Sequence, residues 1–147
     1  IGAELGSMKV TEQIDAMEVS AINPYKYLVV TRILATTLML PLLMMYSAFV
    51  GMMGSYLDVH SNEQTSFITF FQSAFSTIGF IDFFTSIVKA LVFGFTIGAV
   101  SCYKGFNTSK GTMGVGIAAN SAVVTSMFLI FIEEITIVQI SNYLRAI

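Results

Sequence analysis

The chain has 147 residues, of which 55% are hydrophobic and only 11% are charged, and its mean hydropathy is +0.79. Soluble domains carry about 25% charged residues, so the shortage of charge argues against a soluble enzyme, and the hydrophobicity excludes disorder. A net charge of −2 leaves no positive excess for a nucleic-acid backbone, and the single cysteine, Cys102, excludes an internal disulfide framework and a Cys-rich metal site. The remaining class is an all-α membrane protein, with no catalytic residue or metal site assigned.

The first element is the only stretch that is both long and polar. Residues Glu4 to Ala21, placed on one helix, put Val10, Ile14, Met17 and Ala21 on one side and Thr11, Glu12, Asp15 and Glu18 on the other, a short amphipathic helix. Asn23-Pro24 stops it, because the residue before proline is pushed out of the helical region. A helix that lies on anionic lipid is normally basic, so an acidic face next to a span suits docking of a protein partner; a solvated face on a connecting helix is the alternative. Residue 1 is Ile, and the N-terminal segment lacks a signal peptide's basic start and apolar core, so further helices are expected upstream.

From Ile33 to Leu57 no charged residue occurs, more than the roughly 20 apolar residues that a spanning helix needs. This first span is rich in flexible side chains, Met39, Met44, Met45, Met52 and Met53, which suit either a cavity for varied acyl chains or plain packing. Pro41 is expected to kink it, as a gate or simply as a bend. His60 and Asn62 fall in the following connection and are given no chemistry. Residues 64–81 are uncharged, and Phe67, Phe70, Phe71 and Phe75 stand at helical spacing ahead of Phe80. They predict a short helix in the membrane interface, with a re-entrant segment as the competing reading.

The second span is residues 83–103, interrupted only by Lys89, which can snorkel towards one end. Gly94 and Gly98 form a small-xxx-small pair that permits close helix approach, across a dimer being one option. Cys102 reads as a small buried apolar residue. The third span is residues 118–140, apolar except for Glu133 and Glu134. Lys9, Lys26, Arg32, Lys104 and Lys110, five of the seven basic residues, share one side of this three-span arrangement, which the positive-inside rule makes cytoplasmic.

The run from Ala3 to Val19, AELGSMKVTEQIDAMEV, followed by Asn23-Pro24-Tyr25-Lys26-Tyr27-Leu28-Val29-Val30 and Arg32, resembles the MlaE (YrbE) family of ABC-transporter permeases. Leu40-Pro41-Leu42-Leu43, the stretch from Ile87 to Gly94, and Tyr103-Lys104-Gly105-Phe106 match as well, so the resemblance covers the whole chain. It implies the C-terminal portion of a permease domain. The working form would be a homodimer with two cytoplasmic ATPase subunits and an outer MCE-domain lipid-binding protein, moving phospholipid between the inner membrane and the periplasm or outer membrane. The segment starting at Glu4 would be the coupling helix, with Glu4, Thr11, Glu12, Asp15 and Glu18 as ATPase-docking residues. ATP-Mg would sit on the ATPase subunit, because this chain has no Walker-type P-loop. A multi-pass place in a bacterial inner membrane follows, with the plastid inner envelope as the alternative. Where many members of the family carry basic residues before the third span, this sequence has Ile117 and Ser121.

A charge at mid-bilayer costs about 2.5–3.5 kcal/mol on insertion scales, so Lys89, Glu133 and Glu134 are expected to face protein or water. The second and third spans run in opposite directions, which brings these residues to similar depth. Lys89 matches a family lysine and Glu134 a position where the family commonly has an acid, so an interaction of Lys89 with one of the two acids, preferably Glu134, is expected near the outward end of a lipid pathway. Headgroup handling and a packing ion pair stand as alternatives. Met39, Pro41, Met45, Lys89, Glu133 and Glu134 are the lipid-pathway candidates. Intramembrane charges also suit an ion-coupled secondary transporter, which would show transport insensitive to ATP, and a non-transporting scaffold would move no lipid in vesicles.

Overall fold

The computed structural model describes residues 1–63, 65–109 and 111–146. Lys110 and the side chain of Phe80, both used above, lie outside the described residues, as does Gln64 at the start of the predicted interfacial segment. The elements are α1 (Gly2–Val10), α2 (Gln13–Val19), a π-helical turn (Tyr25–Val29), α3 (Val30–Glu63), α4 (Phe67–Thr77), α5 (Phe80–Phe106) and α6 (Thr112–Ala146). No strand occurs among the described residues. Three stretches, Tyr25–Asn62, Ile81–Phe106 and Thr112–Tyr143, are long and apolar enough to cross a membrane.

The expected amphipathic helix is two helices. Thr11 ends α1: its hydroxyl donates to the Ser7 carbonyl at 2.9 Å, and Glu12 turns to a left-handed backbone with φ 59°. A short polar side chain that bonds back to the preceding turn competes with helix continuation, and wheel geometry does not register this. Ala21, placed on the apolar side by the wheel, lies past α2 and also has φ 59°. Asn23 then caps the next turn, its Oδ1 accepting the N–H groups of Tyr25 at 3.0 Å and Lys26 at 3.2 Å.

The core lies at the end of the bundle where Arg32 and Lys104 are found. Leu5, Ile14, Leu28 and Cys102 are buried together there, with Met8, Met17, Val29, Ile33 and Phe106 packed against them. Glycines let α1 settle against α5 and α6: Gly2 faces Ala122 and the Ser101 carbonyl, and a Cβ on Gly105 would lie 2.7 Å from Leu5 Cβ. At the other end α3 runs on to Glu63, so Asp58, His60 and Asn62 belong to its last turns rather than to a loop. Ser61 and Asn62 bond back to the Leu57 and Asp58 carbonyls, and His60 stacks on Tyr56. Tyr56 also meets Phe67 and Phe70 edge-on at 5.1 and 5.7 Å, which ties α4 to α3.

Helix α5 is central, packing on α3 along one side and α6 along the other. The Gly94/Gly98 pair serves the contact with α3 of the same chain: a Cβ on Gly94 would stand 2.7 Å from the Thr36 carbonyl oxygen and 2.8 Å from Thr37 Cα, and one on Gly98 would run into Thr36 and Ile33. Gly94→Leu is therefore expected to cost about 1–3 kcal/mol of stability through overpacking. Gly116→Ala, whose Cβ meets nothing within 4 Å, should leave stability unchanged or slightly raised. Thermal unfolding of the detergent-solubilised protein distinguishes the two, and an undisturbed Gly94→Leu variant would refute the contact.

Candidate functional site: an ion pair in the wall of an apolar cavity

Antiparallel packing of α5 on α6 builds a polar seam between two apolar helices. Thr85 Oγ1 meets Ser141 Oγ at 3.4 Å, Lys89 Nζ donates to Glu134 Oε1 at 2.6 Å, and Thr96 Oγ1 donates to Glu133 Oε1 at 2.5 Å. Lys89 stands about 13 Å along the axis from the start of α5 at 1.5 Å per residue, too deep for water to be the first choice of partner. It reaches across to Glu134 rather than snorkelling to an end. Adjacent in sequence, the two acids diverge in surroundings because successive helix positions point about 100° apart. Glu134 opens to a cavity, whereas Glu133 turns to α5, and its Oε2 is buried with no hydrogen-bond partner among the described residues.

That cavity, of about 510 Å³, lies beside the α3–α5 contact and is lined by Leu40, Leu43, Met44 and Ser47 of α3, by Ser86, Lys89, Ala90 and Phe93 of α5, and by Glu134. Its volume is within the roughly 300–1,000 Å³ typical of ligand sites. A second cavity of about 600 Å³ shares Met44 and Ser86 with it and adds Met45, Met52 and Asp82, and a third of about 400 Å³ is lined by Met39 and its α3 neighbours. Of the lipid-pathway candidates, Lys89 and Glu134 thus line the first cavity, Met45 the second and Met39 the third. Pro41 lies inside α3 between the lining residues Leu40 and Leu42, and Glu133 faces Thr96. The sequence reading missed Leu40, Leu43, Ser86 and Phe93. Their signal was present: 40, 43, 44, 47 and 86, 89, 90, 93 share one spacing, i, i+3, i+4, i+7, which marks a single helix face in each span.

The docking candidates lie at the opposite end of the spans. Glu4 is held by Arg32, with contacts of 2.6 and 3.4 Å, and the same guanidinium donates to the Leu28 carbonyl at 3.2 Å. The hydrogen bond from Arg32 keeps the Glu4 carboxyl below its ordinary range. Lys9 pairs with Asp15 at 2.7 Å across the α1–α2 break, and that bond raises the Lys9 ammonium above its ordinary value. Thr11, Glu12 and Glu18 are exposed, and beside them Val19 is 90% exposed. An acidic surface with an uncovered apolar residue at its edge is thereby presented at this end.

Three apolar helices of spanning length, one of them holding a cation against an acid on its neighbour, make this a polytopic α-helical membrane protein. The chain belongs to the MlaE permease family, whose family model, Permease MlaE, matches residues 1–140. It is 40% identical over 140 residues to a probable ABC transporter permease protein of Rickettsia typhi, covering 95% of this chain and 54% of that protein. A probable ABC transporter permease protein of Synechocystis is 42% identical over 132 residues, covering 90% of this chain and 50% of its own length. The chloroplastic protein TRIGALACTOSYLDIACYLGLYCEROL 1 of Arabidopsis thaliana is 37% identical over 132 residues, 90% of this chain and 38% of that protein. The chain spans about half the length of the curated permeases that it matches.

The Lys89–Glu134 pair can be measured by a double-mutant cycle with Lys89→Met and Glu134→Leu. A coupling of about 0.5–3 kcal/mol is expected, each single variant losing more stability than half of the double variant's loss because it strands one charge. Unfolding in detergent gives the values, and strict additivity would show that the two do not interact.

Proposed function

We propose that this chain forms part of the transmembrane permease subunit of an ATP-driven phospholipid transporter, working between the inner membrane and the periplasm or outer membrane. The observation that carries the reading is the ion pair in the wall of a largely apolar cavity, in a chain of the MlaE permease family. An amphiphile needs both surfaces: apolar walls for acyl chains and a polar station for the headgroup. The lipid pathway includes Met39, Met45, Lys89 and Glu134, with Pro41 shaping α3 and Glu133 bracing α5. A lipid cargo also accords with the glycerolipid in the name of the Arabidopsis relative.

In this reading two copies of the permease assemble with two ATPase subunits, which bind ATP-Mg, and with an MCE-domain lipid-binding protein outside. The exposed acids of the α1–α2 unit, Glu12 and Glu18 with Thr11 and Val19, seat on the ATPase, while Glu4 and Asp15 hold that unit in shape through Arg32 and Lys9. Five basic residues on the same side put this end in the cytoplasm of a bacterium, or in the corresponding compartment of a plastid envelope.

Two measurements test the proposal. Glu12→Lys with Glu18→Lys in the full-length permease should lower ATPase copurification by about tenfold or more with membrane insertion intact, since like charges are then set against a surface that accepts acids. Undiminished copurification rejects the docking surface. Charge reversal at Lys89 or at Glu134 should each impair ATP-dependent lipid movement in proteoliposomes at normal expression. Full lipid movement in both single variants rejects the headgroup role.

A further inference from the structure

The donors and acceptors in the cavity wall differ in number, and this bears on which headgroup fits. Ser47 and Ser86 line the cavity, but each hydroxyl proton is already committed to its own helix: Ser47 Oγ donates to the Met44 carbonyl at 2.9 Å and Ser86 Oγ to the Asp82 carbonyl at 2.8 Å. What both hydroxyls turn to the cavity is therefore lone pairs, and they act as acceptors. The Glu134 carboxylate is a further acceptor, and its side chain is 42% exposed against 23% for Lys89, so the acid forms the more open half of the pair. Asp82 lines the two adjoining spaces that share Ser86 with this cavity. Lys89 is the donor: of its three N–H groups one is directed to Glu134.

We propose that this cavity selects phospholipids whose headgroup joins a phosphate to a primary ammonium, a phosphoethanolamine-type headgroup, over anionic and quaternary-amine headgroups. The inference rests on reading the cavity as a lipid site. A zwitterionic headgroup lies antiparallel to the Lys89–Glu134 pair, with phosphate on the ammonium of Lys89 and its own amine on Glu134, and neither protein charge has to be stripped of its partner. The primary ammonium has three N–H donors to place, and Glu134, Ser47 and Ser86 supply the acceptors. A quaternary amine has none to give them, so the remaining acceptor sites of these oxygens gain no donor from the headgroup. An anionic headgroup brings a negative charge to a wall whose lysine is already neutralised by Glu134. Leu40, Leu43, Met44 and Phe93 remain for the acyl chains.

The test places full-length permease in nanodiscs containing equal amounts of phosphatidylethanolamine, phosphatidylcholine and phosphatidylglycerol with identical acyl chains. The protein is then transferred to detergent, and the lipids it retains are quantified by mass spectrometry. Phosphatidylethanolamine should be enriched about fivefold over each of the others, the factor expected for one partly exposed hydrogen bond. Glu134→Gln should abolish the enrichment while lipid is still retained, and Ser86→Ala, which removes one acceptor without touching a charge, should reduce it in the same direction. Retention in the nanodisc ratio, enrichment of phosphatidylglycerol, or an undiminished preference in both variants overturns the headgroup inference and leaves the phospholipid reading standing. Retention of no phospholipid by the wild-type protein overturns that reading as well.

Discussion

A cation set within an apolar helix must be met by a neighbouring helix, and Lys89 is met by Glu134 at 2.6 Å. That requirement sets the relation between α5 and α6. With the lysine and the acid aligned, Thr85 falls opposite Ser141 and Thr96 opposite Glu133, so three polar pairs join the two helices. On the α3 side of α5, contact depends on the absence of side chains at Gly94 and Gly98, which brings the backbones of α3 and α5 together at Thr36 and Thr37. Beyond that contact the larger side chains of Leu40, Leu43 and Phe93 intervene and a cavity opens. The ion pair thus has one face packed between helices and the other towards an apolar space, and the chemistry proposed for the cavity depends on this.

The α1–α2 unit joins the same framework through a different balance. Two non-glycine residues, Glu12 and Ala21, adopt left-handed backbone at about 1–2 kcal/mol each. Folding the unit back buries Leu5 and Ile14 completely, which stabilises by about 1.5–3 kcal/mol per side chain and offsets the strain. Arg32 then links three parts: it pairs with Glu4 of α1, bonds the Leu28 carbonyl in the π-helical turn, and is itself in the first turn of α3. Contacts thus run without a gap from α1 through Arg32 to α3 and, through the glycine contact, to the helix that holds Lys89.

Much of this was legible in residues taken one segment at a time. The uncharged run after Arg32 marked α3, the phenylalanines at 67, 70, 71 and 75 marked α4, and the charge at 89 marked the acids at 133 and 134 as its partners, Glu134 being preferred through the family resemblance. Ile14 and Met17 were correctly placed on the apolar side of the amphipathic segment. The break at Thr11 and Glu12 was not legible, because it depends on a hydroxyl returning to the Ser7 carbonyl and on the burial of Ile14 to offset a left-handed residue. Nor was the use of Gly94 and Gly98: a small-residue stripe shows that a close neighbour is possible and does not say which helix takes the place. The cavity was half legible, since its two walls have matching i, i+3, i+4, i+7 spacing at 40–47 and 86–93, but each wall reads alone as ordinary packing.

Hydropathy and charge position are additive along the chain, so the sequence by itself determined that three helices are fit to cross a membrane, where their basic end lies, and that the charges within them need partners. Packing is not additive, and the tertiary structure alone decided that Glu133 turns to Thr96 while Glu134 meets Lys89 beside a cavity, and that α3 rather than a second copy fills the glycine groove. The physical reason is the same in each case: direction around a helix axis acquires meaning only when a second helix is present to be faced.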